Sequence, residues 1–212
     1  GVGSSSAISW RRSIPCTEDS FAAAAMAASA RLAAGAIGEL YVSAAGLGDL
    51  GALRLATALS RAPYGSLSRL SVASNGIGPT AAARLVTAAT EVGVTLLDLG
   101  RVRAAAVLGA ADNRVDAGAA AAIADALAGA EHRLTHLVLT HTGMRSREAH
   151  RLLDTASRAR TATRFVLGRS IATSVKRRLD AFSAHLPVPT VPADVAAVRS
   201  VHRTASREDE QA

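Results

Sequence analysis

A single cysteine, Cys16, rules out an internal disulfide framework and any multi-cysteine metal site. Aromatic residues are nearly as scarce. Three Phe, two Tyr and one Trp give little with which to centre one large core or to stack the bases of single-stranded nucleic acid. Apolar runs are short: Phe21–Ala30 covers ten residues before Arg31, against the roughly 18 that would suggest a membrane span. Arg11 and Arg12 precede that run as in a secretory signal. Glu18 and Asp19 interrupt the pattern and a leucine-rich centre is missing, so secretion is not expected. Lys176 is the only lysine, and Asn75 and Asn113 are the only asparagines. There is no G-x-S-x-G, H-E-x-x-H or Walker loop. These absences point away from an enzyme and a membrane protein, and one thiol is compatible with a cytoplasmic location.

Alanine fills the space the aromatics leave. It accounts for 49 of 212 residues, which suits closely packed helices better than one broad core. The net charge of +7 is concentrated. Between Arg145 and Arg178 stand ten basic and two acidic residues, a local excess of +8, so the rest of the chain is near neutral. Such a block has two readings, a phosphate-binding surface or a solvated end that keeps the fold soluble. Phe165 is its only aromatic, which favours the solvated end.

A repeat emerges when apolar residues are aligned by phase. The spacing Leu-x-x-Leu-x-Leu recurs as Ile37-Leu40-Val42, Leu67-Leu70-Val72, Val94-Leu97-Leu99 and Leu134-Leu137-Leu139. A weaker copy is Ala162-Phe165-Leu167, and the starts are 30, 27, 40 and 28 residues apart. Three residues beyond each strand position come Ala45, Asn75 or Thr142, then an apolar Leu47, Ile77 or Met144 two further on. A helical stripe follows at Leu55 and Leu59, Leu85 and Ala89, or Leu152 and Ala156. The third unit has the same series, Asn113, Val115, Ile123 and Leu127, displaced by an insertion near Gly100–Ala111. Both asparagines of the chain fall at one phase. Neither a period-two strand nor a one-sided helix buries its apolar face alone, so neighbouring units must stack.

The segments LSRLSVASNGIGPTAAARLVTAA and NRVDAGAAAAIADAL resemble repeats of the ribonuclease-inhibitor-like leucine-rich-repeat family, over about residues 20–180. The resemblance implies an α/β class and a short solenoid bent into a horseshoe arc. Parallel strands would line its concave face and helices its convex face. It also implies that the repeat asparagine caps the turn after each strand. Ala45 and Thr142 depart from that pattern, so the first and fourth turns are expected to be held less tightly.

The expected organisation is a disordered segment over 1–17, a repeat domain over 18–184 and a disordered proline-containing tail over 185–212. Within the domain a cap helix covers 18–34, repeats begin near 37, 67, 94 and 134, and a degenerate last repeat closes at 162–184.

Two motifs compete with the repeat. Gly46-Leu47-Gly48-Asp49-Leu50-Gly51 is a G-x-G-x-x-G between strand and helix, the context of a dinucleotide-binding turn. The acidic residue expected about 20 positions on is missing, since Ser68–Ser74 contains no Asp or Glu. His132, His136 and His141 are close in sequence, but no cysteine or carboxylate cluster completes a metal set, and solvated or partner-facing roles are expected. Cys16 has no evident histidine partner. No cofactor or metal is expected.

The function these features point to is recognition of another protein by the strand face. Residues between the core leucines project outward, and the partner-binding candidates are Glu39, Tyr41, Arg69, Ser71, Asp98, His136, Val138 and Arg164. The alternatives are a nucleic-acid-associated role through the arginine-rich C-terminal block, or a sensor fragment of a larger protein.

Overall fold

The structure is a computed structural model, and it describes residues 7–10 and 30–188. Among the described residues six strands form one all-parallel sheet in sequential order, with no further strand beside β1 or β6. They are β1 (Ala7–Trp10), β2 (Glu39–Val42), β3 (Arg69–Ser71), β4 (Leu96–Asp98), β5 (His136–Leu139) and β6 (Arg164–Leu167). From β2 onward each strand is followed by a helix, except that a 3-10 turn (Arg103–Ala105) precedes the helix of the third unit. The helices are α1 (Gly48–Leu59), α2 (Pro79–Glu91), α3 (Ala117–Gly129), α4 (Ser146–Ala156) and α5 (Thr173–Phe182). Each packs on the next in chain order. Residues 30–33 are the final turn of a helix, with Leu32 buried; the rest of the expected cap helix lies outside the described residues.

One continuous core runs between sheet and helices. It takes the repeat leucines from the strands, such as Leu40, Leu70, Leu97 and Leu137, and the predicted stripes from the helices, such as Leu59, Leu85, Ile123 and Leu152. Buried alanines, among them Ala52, Ala82, Ala120 and Ala149, let successive helices approach closely. Local signals start the helices. Pro79 stands in the first turn of α2, where a missing N–H costs nothing, and the Asp116 carboxylate accepts from Ala119 N at 2.8 Å to cap α3.

Two expectations about the ends change. Ala7–Trp10, placed in a disordered segment by composition, forms β1 and pairs with β2 from Ala7 opposite Glu39 to Trp10 opposite Val42. At the other end, residues 185–188 are irregular in backbone but hydrogen-bonded to the sheet, as described below.

The turns after β2, β3 and β5 are built alike. Ala44, Ser74 and His141 have φ of 55°, 53° and 58°, and Gly46, Gly76 and Gly143 have 71°, 67° and 76°. In these three turns the chain enters the left-handed region just before and just after the position that Asn75 holds in the second. Glycine enters it freely, whereas a side chain there costs roughly 1–2 kcal/mol.

Candidate functional site

The asparagines hold one unit to the one before it. The Oδ1 of Asn75 accepts from Ala45 N (2.9 Å) and Leu47 N (3.3 Å) of the preceding turn. Its Nδ2 donates to Val42 O, Val72 O and Ala73 O. Asn113 repeats the arrangement one unit on. It accepts from Asn75 N (3.1 Å) and Ile77 N (3.0 Å) and donates to Val72 O and Leu99 O. The first turn is therefore not loosened by Ala45, because Asn75 reaches back to hold it. In the fourth unit the backbone carbonyl of Thr142 accepts from Val115 N at 2.8 Å, and its hydroxyl donates to Leu139 O at 2.9 Å. Threonine covers part of the asparagine's bonds by another route.

The same bonds remove the dinucleotide reading of Gly46–Gly51. Leu47 N donates to the Asn75 side chain, and Gly48 N donates to Asn75 O at 3.0 Å. Asp49 stands beside them and accepts from Gly78 N. The Leu47 and Gly48 amide hydrogens, which a phosphate there would need, are already engaged, with a carboxylate alongside.

The strand register aligns the outward residues in two rows. Glu39, Arg69, Leu96, His136 and Arg164 lie opposite one another, followed by Tyr41, Ser71, Asp98, Val138 and Val166. At the β2–β4 end the candidates form a linked polar network. Tyr41 donates to Glu39 Oε2 at 2.8 Å, and Arg69 Nε lies 3.6 Å from Glu39 Oε1. Ser71 Oγ is 3.1 Å from Ser43 Oγ and 3.2 Å from Asp98 Oδ2, while Asp98 Oδ1 accepts from Gly100 N at 2.8 Å. Burial, then the bond to Glu39 and its charge, push the Tyr41 hydroxyl up to about 12, with Arg69 opposing. The phenol stays neutral and serves as a donor. Val138 is half-buried between the two ends, and Val166 is exposed.

His136 and Arg164 lie at the other end of their row, and both are engaged. The Arg164 guanidinium donates from Nη2 to Ser183 O (2.9 Å) and Leu186 O (3.0 Å). His136 Nε2 donates to Pro187 O at 3.0 Å, with Nδ1 3.0 Å from Thr135 Oγ1. Burial holds the imidazole below its usual pKa, the Pro187 bond opposes, and Arg164 and Arg69 add to the depression. Ser71 and His136, both expected on an open surface, are buried. Ser71 is bonded to Ser43 and Asp98, and His136 to the C-terminal segment.

The other predicted residues fall elsewhere. His132 is not solvated: it is buried in the return loop, with Nε2 3.2 Å from Leu127 O and Nδ1 accepting from Leu134 N at 3.1 Å. Those two bonds fix the neutral tautomer with the proton on Nε2 and leave no lone pair for a metal. Cys16 lies outside the described residues. The insertion is anchored at its ends. Ser74 N donates to Gly100 O, Gly76 N donates to Ala111 O, and Arg101 pairs with Asp112 at 3.4 Å. Its tip leaves Val107 and Leu108 exposed. In the basic block Arg151, Arg158, Arg160, Arg169, Arg177 and Arg178 are exposed, and the one ion pair there among the described residues is Arg147 with Glu148.

Sequence reasoning found both rows but missed the segment that covers the last strands. Its only hint was the cluster Pro187, Pro189 and Pro192, which was read as disorder. Among the described residues no helix is long and apolar enough to cross a membrane. No family model and no curated protein matches this chain.

Proposed function

We propose that the chain is a short leucine-rich-repeat solenoid of the ribonuclease-inhibitor-like kind, serving as a non-catalytic scaffold that binds a partner protein on its concave strand face. The strand register carries this reading. Copies of one motif, spaced unevenly in sequence, place Glu39, Arg69, His136 and Arg164 in one row and Tyr41, Ser71, Asp98 and Val138 in the next. Adjacent strands lie about 4.8 Å apart, so a partner crossing them meets one side chain of the row at each step. A phenol, guanidinium, carboxylate and imidazole within a few strands suit recognition, and interface hot spots favour Tyr and Arg. The five repeat strands offer three outward residues each, fewer than the roughly 20–30 per side of a standard interface. A modest affinity or a longer array follows.

The test is capture of partner from native cell extract with variants in parallel. Tyr41→Ala, Arg69→Ala and Asp98→Ala combined should abolish capture while leaving the fold intact by circular dichroism. Arg54→Ala with Arg84→Ala, both exposed on α1 and α2, should leave capture unchanged. The reverse result overturns the reading.

A second reading rests on the exposed arginines of the C-terminal block, which suit a phosphate backbone. Its check is binding to duplex DNA, with a log–log salt slope near −0.9 per phosphate neutralised. No binding at low salt removes it.

A further inference from the structure

The turns that link strand to helix line up along one edge of the molecule, and hydrogen bonds tie each to the next. Gly76 N donates to Ala111 O (3.0 Å), Arg114 N to Ile77 O (2.8 Å), Val115 N to Thr142 O (2.8 Å) and Ser170 Oγ to Met144 O (2.8 Å). Along that edge stand Arg101, Arg103, Arg114, Arg145, Arg147 and Arg169, all exposed. Arg114 lies over the neighbouring turn, its Cζ 3.7 Å from where a Cβ on Gly143 would stand. The acids of the same turns are engaged: Asp112 pairs with Arg101, Glu148 is buried beside Arg147, and Asp116 caps α3. Arg103, Arg114, Arg145 and Arg169 have no ion pair among the described residues.

The insertion rises from the middle of this edge and is braced at its base. Gly100 O accepts from Ser74 N, and Val102 N donates to Ser74 Oγ, both at 3.0 Å. Within it Leu108 N bonds to Ala104 O and Ala110 N to Ala105 O, both at 2.9 Å, and Ala105 is fully buried. The bracing presents two adjacent apolar side chains to solvent, Val107 at 83% and Leu108 at 52% exposure. An apolar tip among cations gains nothing from a phosphate backbone. It suits the boundary of a bilayer, where carbon enters the acyl region and guanidinium groups meet anionic headgroups.

We infer that the strand-to-helix edge is a peripheral docking surface for an anionic lipid bilayer. Val107 and Leu108 enter the headgroup–acyl boundary, and Arg103, Arg114, Arg145 and Arg169 meet the charged headgroups. The contact is interfacial and needs no spanning helix. It uses a different surface from the strand rows, so a bilayer on the edge and a partner on the concave face are compatible. Two apolar side chains alone hold a protein to a membrane only weakly and reversibly, so the arginines are needed as a second signal. The edge shares Arg169 with the exposed arginines considered for duplex DNA, and the two readings divide at the tip. Lipid binding depends on Val107 and Leu108; binding to a phosphate backbone does not.

The test is co-sedimentation of the full chain with vesicles of phosphatidylcholine, alone or mixed with phosphatidylserine, at physiological salt. The chain should bind the mixed vesicles at least about tenfold tighter than the neutral ones. Val107→Ser with Leu108→Ser should weaken that binding at least about tenfold, since each such side chain fully buried in hydrocarbon is worth roughly that factor. Arg103→Gln, Arg114→Gln and Arg145→Gln together should weaken it on the order of a hundredfold, at about fivefold each. Arg54→Gln with Arg84→Gln, on the helix side, should leave it unchanged. All these side chains are exposed, and circular dichroism checks each fold. Independently, an environment-sensitive dye on Val107→Cys, in a chain carrying Cys16→Ser, should shift to the blue on mixed vesicles. Absence of binding to mixed vesicles overturns the inference, and so does binding that survives loss of Val107 and Leu108 or leaves the dye unshifted. Tip-independent binding matched by duplex DNA assigns the edge to phosphate backbones instead.

Discussion

Replacing Asn75 by alanine removes one side chain and breaks bonds in two successive units. The carboxamide has two donor hydrogens and one acceptor oxygen, and all are used. Nδ2 bonds to Val42 O and Val72 O, with Ala73 O sharing at 3.3 Å, and Oδ1 takes Ala45 N and Leu47 N. Val42 is buried, so its carbonyl has no solvent to turn to, whereas Val72 O keeps the bond from Asn113 Nδ2 at 2.9 Å. A buried polar group left unpaired costs about 1–3 kcal/mol. Ala45 and Leu47 are only half-buried, and water replaces part of what they lose. The expected cost is about 2–3 kcal/mol, a large share of the roughly 5–15 kcal/mol that stabilises a domain. For a domain of this size each kcal/mol shifts the melting point by roughly 2–4 °C, so the drop is about 4–12 °C. Thermal and urea unfolding at neutral pH would measure it, with Ala45→Ser as a control expected within about 0.5 kcal/mol of wild type. Asn75→Asp should be no better than alanine, because it aims a carboxylate at main-chain carbonyls. A melting point for Asn75→Ala within 2 °C (about 1 kcal/mol) of wild type would refute the reasoning.

Ala44→Gly should raise stability by about 0.5 kcal/mol, since relief of a residue at φ 55° outweighs the added freedom of the unfolded chain. Gly76→Ala should lower it by about 1–2 kcal/mol, because φ is 67° and the new Cβ would meet Ala111 Cβ at 3.3 Å. Urea midpoints with unchanged slope decide both. Burial lowers the His132 pKa against the opposing bond to Leu127 O, so the folded state binds its proton less readily than the unfolded chain. Its stabilisation is complete above the unfolded value near 6.5 and is lost as pH falls below it towards the folded value. His132→Gln should therefore flatten the pH dependence of stability between 7 and 5, and an unchanged slope would exclude His132 as a source of acid sensitivity.

Much of this architecture was legible because its determinants are local. A leucine triad at spacing 3 and 2 fixes which strand residues face the helices. That same phase fixes the rows: Arg69 opposite Glu39 and Asp98 opposite Ser71 follow once like phases align. The asparagine phase was legible too, but not its direction. Phase alone suggested that each asparagine serves its own turn. The structure has Asn75 holding the turn at Ala45–Leu47 as well, 28–30 residues upstream.

The sequence by itself determined the repeating strand–helix unit, its apolar faces and the membership of each outward row, since all depend on side-chain periodicity within one unit. Tertiary structure decided what those rows are free to do. Ser71 is bonded to neighbours 27 and 28 residues away in sequence, and His136 to a carbonyl 51 residues away. β1 acquires its role only by pairing with β2. Backbone carbonyls and strand edges are identical at every residue, so composition and spacing carry no mark of which of them a distant arginine, histidine or strand will bind.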